Sequence, residues 1–339
     1  MLAAAKAAPG TADTRLADTE TLRRSDPGWH LLAEGRTAFN RQIGYRQTGW
    51  HRIGFRPGLS GYICSLIGVT LGLLAIGLWA LGILAGPNTT GPSLALWALW
   101  TFAALIPASA IAQLLVDRLV GWTVPAAALP GLSLDGGIPA TLRTLVVVPT
   151  LLTNSRDDMQ EQVEGLEMHF LSGAQGDITF ALLTDGLDAP QQDMPEDAAL
   201  LALITERMLE LNQRYGPGPS GVRFLHLHRQ RRYNPVEMIW MGWERKRGKL
   251  HELNRLLRGA TDTDYRGPDG STPVVPSGVR YVLTLDSDTR MPRDTALRLI
   301  GKMAHPLNRP VIDPDLRRVS AGHAILQPRV TPSLPAGRP

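Results

Sequence analysis

The chain has 339 residues, of which 44% are apolar and 19% charged, and its formal net charge is +4. This length can hold two domains, and the apolar content permits a large core or a membrane segment. The one cysteine, Cys64, excludes an internal disulfide framework and a metal site built from cysteines. The mildly basic charge is compatible with anionic lipid or phosphate ligands.

The first 56 residues predict a disordered start followed by a surface helix. Residues 1–25 are rich in Ala, Thr and charged side chains and lack the apolar stretch of a signal peptide, so we expect disorder there. Asp26 and Pro27 are typical of an N-cap and a first helical residue. Residues 26–56 therefore predict an amphipathic juxtamembrane helix. We favour a position on the lipid surface, the alternative being a helix that packs on the later domain.

Residues 57–121 predict a transmembrane hairpin, because positions 57–116 carry no charged side chain. Residues 62–84 and 93–116 are each long enough to cross a bilayer, whereas a buried hairpin of a soluble core is the alternative. The positive-inside rule places both flanks in the cytoplasm and the connecting loop outside. The flanking basic residues that support this orientation are Arg41, Arg46, Arg52, Arg56 and Arg118.

Strands and helices alternate after a predicted linker at 122–141. This alternation predicts an α/β domain over 142–335, with a mostly parallel sheet covered by helices on both faces and a tail at 336–339. Strands are expected at 145–149, 178–184, 222–227, 281–285 and near 324–326. Helices are expected from Ser155 to about Phe170 and at 197–214, 249–258 and 293–305. The strand at 281–285 is apolar enough to be buried on both faces.

Carboxylates follow two of these strands, Asp185 after one and Asp286 with Asp288 after another. Open parallel sheets bind ligands at the carboxyl ends of their strands, so these side chains and the loop at 150–154 are expected to converge. Asp286 and Asp288 are hard oxygen donors that suit Mg²⁺ or Mn²⁺ holding a diphosphate. The alternative is an Asp-rich turn that caps the next helix.

Three other polar patterns occur in the predicted α/β domain. Four cations within residues 245–249 lead into a helix and favour a phosphate, although a solvated basic face is the alternative. Asn254 lies among leucines of that helix, which predicts a buried hydrogen-bond partner for it. His226 and His228 share one strand face and could be ligands, but we interpret them as solvated strand residues.

These motifs occur in the order seen in family 2-like processive glycosyltransferases of the GT-A fold. The motifs are Val-Val-Val-Pro-Thr at 146–150, Asp185, Gly248-Lys249 with Asn254, and Asp286-Ser287-Asp288. The longer runs at 240–259, 301–310 and 325–335 resemble the cyclic β-1,2-glucan synthases of bacteria. The resemblance covers about residues 29–335.

The resemblance implies a multi-pass enzyme of the bacterial inner membrane that uses UDP-glucose at the cytoplasmic face. It would add glucose to a growing β-1,2-glucan acceptor by an inverting, metal-assisted transfer. By that likeness Thr150, Asp185, Lys249 and Asp286 would bind the nucleotide sugar, and Asp286 and Asp288 would bind Mg²⁺ or Mn²⁺. The metal would make the diphosphate a better leaving group.

The chain departs from the family in its last part, which has no Asp or Glu after Asp315 and no Trp after Trp243. The family's general base and its Gln-x-x-Arg-Trp acceptor motif are therefore not found, and the catalytic residue is unknown. We expect the donor-binding half of a synthase, separated from the C-terminal part of its parent.

Three other functions are alternatives to the donor-binding part of a synthase. The main alternative is a non-catalytic membrane-anchored remnant that binds nucleotide sugar or nothing. A glycoside hydrolase ranks last, because the carboxylates gather at one edge instead of facing each other across a cleft. Nucleic-acid binding is not expected, because no aromatic platform accompanies the basic run.

Overall fold

A computed structural model describes residues 12–45, 59–85, 93–123, 128–173, 175–267 and 270–330. The chain divides into two compact units, one of Met1–Gly35 with Leu129–Pro339 and the other of Arg36–Ala128. The predicted turn between the two spans and the C-terminal tail lie outside the described residues, as do Arg46, Arg52 and Arg56.

Nine helices and nine strands lie within the described residues. The helices are α1 (Ala12–Ser25), α2 (Pro27–Leu32), α3 (Arg36–Gln42), α4 (Leu59–Ala85), α5 (Leu94–Thr123), α6 (Arg156–Leu171), α7 (Pro195–Tyr215), α8 (Arg245–Leu256) and α9 (Thr295–Ala304). The strands are β1 (Thr144–Leu152), β2 (Ile178–Gly186), β3 (Phe224–Arg229), β4 (Arg232–Asn234), β5 (Ile239–Met241), β6 (Tyr265–Arg266), β7 (Tyr281–Thr284), β8 (Val311–Asp313) and β9 (Arg318–Ala321).

The N-terminal segment is helical at Ala12–Ser25, where the sequence predicts disorder. Tertiary contacts that the polar sequence does not predict stabilise this helix: α1 contacts strand β8 and the short 3₁₀ turn Pro306–Asn308. Arg23 of this helix is buried, and its guanidinium lies 5.8 Å from the ring of Trp29. Asp26 caps α2 as predicted, because its Oδ1 accepts from the N–H of Gly28 at 2.7 Å. The predicted single helix over 26–56 is instead divided into α2 and α3.

The second unit contains the two long apolar helices. Leu59–Ile83 and Leu94–Trp122 are long and apolar enough to cross a membrane, and only 11% and 6% of these segments is buried within the structure. A core helix of a soluble protein would be mostly buried, so the exposed apolar surfaces indicate membrane association. Helix α5 continues through Pro107 without interruption.

The two long helices pack along small side chains, as membrane helices commonly do. The residues buried between them include Thr70, Leu74, Ala108, Ala112 and Val116. The hydroxyl of Tyr62 in α4 donates to Asp117 in α5 at 2.8 Å. This polar contact joins the start of one helix to the end of the other, so the pair is antiparallel.

The first unit contains a five-stranded sheet with the order β6-β3-β2-β1-β7. Strands β7, β1, β2 and β3 run parallel, and only β6 is antiparallel. One face packs against α6, α7 and α9, and the other packs against α8. The predicted α/β class with a mostly parallel sheet is therefore confirmed.

Two strand predictions are wrong. Strand β7 is half-buried instead of buried on both faces, because within the described residues it forms the edge of the sheet. No strand forms at 324–326. The last strands are the antiparallel hairpin β8–β9, which pairs locally instead of joining the main sheet. Local β-propensity predicts neither outcome, because both depend on which other strand each segment pairs with.

The segment predicted as a linker at 122–141 is partly docked on the α/β domain. Leu132 N–H donates to the carbonyl of Gly301 at 3.1 Å, and Ile138 N–H donates to the carbonyl of Gln175 at 2.8 Å. The Ile138 side chain is buried in the core. The folded domain therefore begins near residue 129 instead of 142.

Candidate functional site

The carboxyl edge of the parallel strands is covered by the start of α8. The register aligns Thr150 with Thr184 and Leu151 with Asp185, so β1 and β2 end side by side. On the other side of β1, Val147 pairs with Thr284, and the carboxylates of Asp286 and Asp288 follow just beyond. The predicted convergence of these three segments at one edge is present in the structure.

The start of α8 packs tightly on the segment before it, and that segment packs on the sheet edge, because two positions are glycines. A Cβ at Gly248 would lie 2.0 Å from the carbonyl oxygen of Trp243, and a Cβ at Gly242 would lie 2.7 Å from a carboxylate oxygen of Asp185. The chain enters the helix through Glu244 and Arg245, both with positive φ. This tight entry brings the basic run of residues 245–249 against the strand ends.

Arg229, at the end of β3, is the centre of a buried ion network. Its side chain is fully buried and binds Asp185 with two parallel hydrogen bonds of 2.9 Å. A third bond of 2.9 Å joins it to Glu252 of α8. Burial alone would lower the pKa of Arg229, but the two carboxylates outweigh it and raise the pKa. The guanidinium is therefore a permanent cation between the sheet and α8.

The same guanidinium holds the entry to α8. It donates to the carbonyl oxygens of Trp243 at 2.8 Å and Arg245 at 3.2 Å. Glu252 completes the network by accepting from the hydroxyl of Thr263 at 3.1 Å and from the N–H of Asp264 at 2.8 Å. The network thus fixes the first turn of α8 with respect to β2 and β3.

Lys249 is buried beneath this turn. Its ammonium contacts the carbonyl oxygen of Thr150, lies 3.4 Å from that of Leu183 and pairs with Asp185 at 3.3 Å. Burial lowers the pKa of Lys249 to about 8, although Asp185 partly opposes this shift. The structure therefore brings together the predicted residues Thr150, Asp185 and Lys249. Lys249 contacts both of the others, and Asp185 is only 1% exposed.

Asp286 and Asp288 are exposed, in contrast to Asp185. The ammonium of Lys246 contacts Oδ1 of Asp286, and the two side chains are 49% and 61% exposed. Lys246 and Lys249 are one turn apart, so both reach the sheet edge from the same side of α8. Lys249 reaches the buried strand ends of β1 and β2, and Lys246 reaches the exposed carboxylate after β7.

The other cations of the basic run have different partners. Arg245 contacts Asp188, and Arg247 pairs with Glu244 at 2.9 Å on the outer side of the helix. The run is therefore not a uniform solvated face, and phosphate binding by it stays a prediction. Each cation of the run has a carboxylate partner in the structure.

The two histidines are not solvated, contrary to the sequence-based interpretation. Both are half-buried on the α7 face of β3, where the hydroxyl of Thr184 lies 2.8 Å from His226 Nε2 and 2.9 Å from His228 Nδ1. Burial lowers the pKa of His226 to about 3 and that of His228 to about 4. Both imidazoles are therefore neutral at pH 7. They lie on the face of the sheet opposite to α8.

The prediction for Asn254 is also wrong, because this residue is exposed. The buried polar side chains of α8 are Lys249 and Glu252, and Glu252 lies two positions before Asn254. Sequence reasoning missed Glu252, Arg229 and Lys246. Arg229 had one signal: it follows Leu225 and Leu227 at alternating positions of a strand, where an apolar side chain is expected. Lys246 was part of the noted basic run, but nothing in the sequence distinguishes it from its neighbours.

Asp286 and Asp288 are the residues that could hold a divalent metal. Among the residues that the structure describes, no group of three His, Cys, Asp or Glu side chains forms a metal cluster. Mg²⁺ needs only one or two carboxylates, because it keeps water and substrate phosphates as its other ligands. The pair therefore fits a metal that binds together with a diphosphate, and it does not fit a preformed metal cage.

The fold and this edge define the protein as an α/β domain with a polar sheet edge, in a chain that also carries two apolar helices. Over 317 residues, or 93% of the chain, its sequence is 40% identical to the cyclic beta-(1,2)-glucan synthase NdvB of Rhizobium meliloti (strain 1021). The predicted resemblance to cyclic β-1,2-glucan synthases is therefore confirmed. The chain spans 11% of the length of that relative. No family model matches the chain.

Proposed function

We propose that the chain is the donor-binding part of a membrane glycosyltransferase that elongates a β-1,2-glucan with glucose from UDP-glucose. One observation carries the proposal: α8 places Lys246 against Asp286 and Lys249 against the end of β1, both at the carboxyl edge of the parallel strands. The similarity to a cyclic β-(1,2)-glucan synthase supplies the substrate class.

In this proposal a Mg²⁺ or Mn²⁺ ion held by Asp286 and Asp288 binds the donor diphosphate. The start of α8 adds positive charge from its side chains and from its helix dipole on the same side. A diphosphate is a dianionic or trianionic leaving group, and cations around it stabilise the charge that develops as the glucosyl bond breaks. Inversion at the sugar also requires a base at the acceptor hydroxyl, and we assign that role to no residue described here.

Asp185 has a different role in this proposal from the direct nucleotide contact that the resemblance implies. Both of its oxygens accept from Arg229, and Lys249 lies 3.3 Å away. Through these contacts Asp185 holds the start of α8 at the edge where the donor binds. Direct contact between Asp185 and the nucleotide stays a prediction, and it requires the carboxylate to give up one of these bonds.

The membrane topology is part of the same proposal. Two apolar helices that cross the bacterial inner membrane would leave the α/β domain in the cytoplasm, where UDP-glucose is made. In this arrangement a multi-pass membrane enzyme transfers the sugar at the cytoplasmic face.

The donor can be identified by competition binding to the detergent-purified chain. Labelled UDP-glucose in the presence of Mn²⁺ is expected to be displaced by UDP, and ADP-glucose is expected to compete about tenfold less well, the cost of about one lost base contact. Equal competition by ADP-glucose would show that the site does not recognise the uracil base. No binding of UDP-glucose by the folded chain would contradict the proposed function.

A further inference from the structure

We propose that Lys246 is a displaceable cation, which neutralises Asp286 until a divalent metal takes its place and which then binds the donor diphosphate. The inference rests on the proposed function, since it assigns a role in donor binding to a residue outside the predicted site. It starts from the contact between the Lys246 ammonium and Oδ1 of Asp286.

The contact and metal binding exclude each other. A metal that uses Oδ1 of Asp286, alone or with the second oxygen, would occupy the space of the ammonium. A divalent ion next to an ammonium is also repelled, and this repulsion is weakened but not removed by solvent. Binding of the metal therefore requires Lys246 to leave Asp286.

Lys246 is free to move in a way that Lys249, the other lysine of the basic run, is not. Its side chain is 49% exposed and lies on a long flexible stem, whereas Lys249 is 3% exposed and contacts two backbone carbonyls. Arg245 contacts Asp188, beyond the end of β2. Of the cations in the basic run, Lys246 is the one whose partner is also a predicted metal ligand.

The displaced ammonium has a new partner close by. A diphosphate bound to the metal at Asp286 and Asp288 brings several anionic oxygens to the same place. Lys246 is in the first turn of α8, where the helix dipole also favours an anion. Lys246 then pairs with the diphosphate instead of Asp286, and the ammonium is neutralised in both states.

This exchange links metal and donor binding. Binding of the metal alone breaks the ion pair between Lys246 and Asp286, and no new contact of Lys246 offsets this loss. The metal with its diphosphate restores a partner to the ammonium. Lys246 therefore weakens binding of the free metal and strengthens binding of the metal–diphosphate pair.

The test is a Lys246→Met variant of the whole detergent-purified chain, with Arg247→Met as the matched control. Both variants lose one positive charge, but Arg247 pairs with Glu244 and its side chain is 78% exposed. Binding of Mn²⁺ alone is measured by electron paramagnetic resonance, and binding of UDP is measured at saturating Mn²⁺.

The two measurements are expected to change in opposite directions. Lys246→Met should bind Mn²⁺ alone roughly two- to fivefold more tightly, the strength of an exposed ion pair. It should bind UDP with Mn²⁺ roughly three- to tenfold more weakly, because a charge-assisted contact to phosphate is lost. Arg247→Met should change either affinity by less than about twofold. A merely structural defect would weaken the binding of both ligands.

Mn²⁺ binding that is unchanged or weaker in Lys246→Met, or undetectable in both proteins, would overturn the inference. UDP affinity that is unchanged in this variant would also overturn it. These outcomes differ from failure of the proposed function, in which the unmodified chain itself binds no UDP-glucose with Mn²⁺.

Discussion

At the scale of residues, the candidate site consists of a buried layer and an exposed layer. Asp185, Arg229, Glu252 and Lys249 are buried and bind one another, whereas Asp286 and Asp288 face solvent. Removing one partner from a buried network leaves an uncompensated charge, so the buried layer is rigid. The exposed layer can exchange its partners, and for that reason we assign ligand binding to it.

The residue types at the site were predictable, but their pairing was not. Asp185, Asp286 and Asp288 were found because carboxylates after strands are a local pattern. Arg229 and Glu252 lie 23 residues apart in the sequence and form their ion pair only when α8 packs on the sheet. The choice between Asn254 and Glu252 as the buried side chain depends on the rotation of α8, which the leucine pattern alone leaves ambiguous.

The histidine pair makes a prediction about acid stability. In the folded chain His226 and His228 have pKa values of about 3 and about 4, below the value of 6.5 for a free imidazole. The unfolded chain therefore binds more protons below pH 6.5, and stability is lost as the pH falls from there toward the folded pKa values. The loss at pH 5 is at most about 2 kcal/mol for each imidazole.

The measurement is the thermal unfolding midpoint of the chain in detergent at pH 7.5 and pH 5. The double variant His226→Gln, His228→Gln should lose most of the difference between the two pH values, because its amides do not titrate. Part of the difference should persist, because burial also lowers the pKa of His169. A double variant with the full difference would show that the two imidazoles do not cause it.

At the scale of elements, helix α8 completes the candidate site, because it brings its lysines to the edge of the sheet. Leu253 and Leu256 pack in the core against Leu145, Val147 and neighbouring apolar side chains of the sheet. The hydroxyl of Tyr265 donates to the carbonyl of Lys249 at 2.9 Å, and burial raises the pKa of this hydroxyl, so it stays a donor. The position of α8 is therefore fixed along its length as well as at its first turn.

The close approach of α8 predicts opposite effects for two glycine substitutions. Gly248→Ala should destabilise the chain by about 1–3 kcal/mol, because its Cβ would meet the Trp243 carbonyl oxygen at 2.0 Å. Gly165→Ala, in the middle of α6, meets nothing within 4 Å and should stabilise by about 0.5–1 kcal/mol through higher helix propensity. Unfolding midpoints of both variants check this. Stabilisation by Gly248→Ala would show that α8 does not need this close contact.

The order of elements was largely predictable, and the errors have a common cause. Strands β1, β2 and β3 and helices α6, α7 and α9 carry clear apolar periodicity, and the Ser155 cap of α6 forms as expected, with the N–H of Asp158 donating to its Oγ at 3.1 Å. The helix α1 and the half-exposed β7 depend on contacts between distant parts of the chain, about which local patterns contain no information. The hairpin β8–β9 pairs two short strands with each other.

At the scale of the whole molecule, the chain joins an apolar pair of helices to an α/β domain with a polar binding edge. The helices indicate membrane association, and the edge contains carboxylates and cations, to which we assign the binding of a metal and a diphosphate. The similarity to a cyclic β-(1,2)-glucan synthase covers both parts, since it extends over 93% of the chain. The central claim is that this edge is a metal-dependent donor site.

Calorimetric titration of UDP-glucose into the detergent-purified chain, with and without Mn²⁺, tests that claim most directly. It is made beside Asp288→Asn and the control Asp315→Asn, which removes the same charge from the exposed β8–β9 turn. We predict binding that requires Mn²⁺, that weakens at least about tenfold in Asp288→Asn, as expected for loss of a metal ligand, and that is unchanged in the control. Binding that is independent of Mn²⁺, or equal in Asp288→Asn and the unmodified chain, would contradict the account.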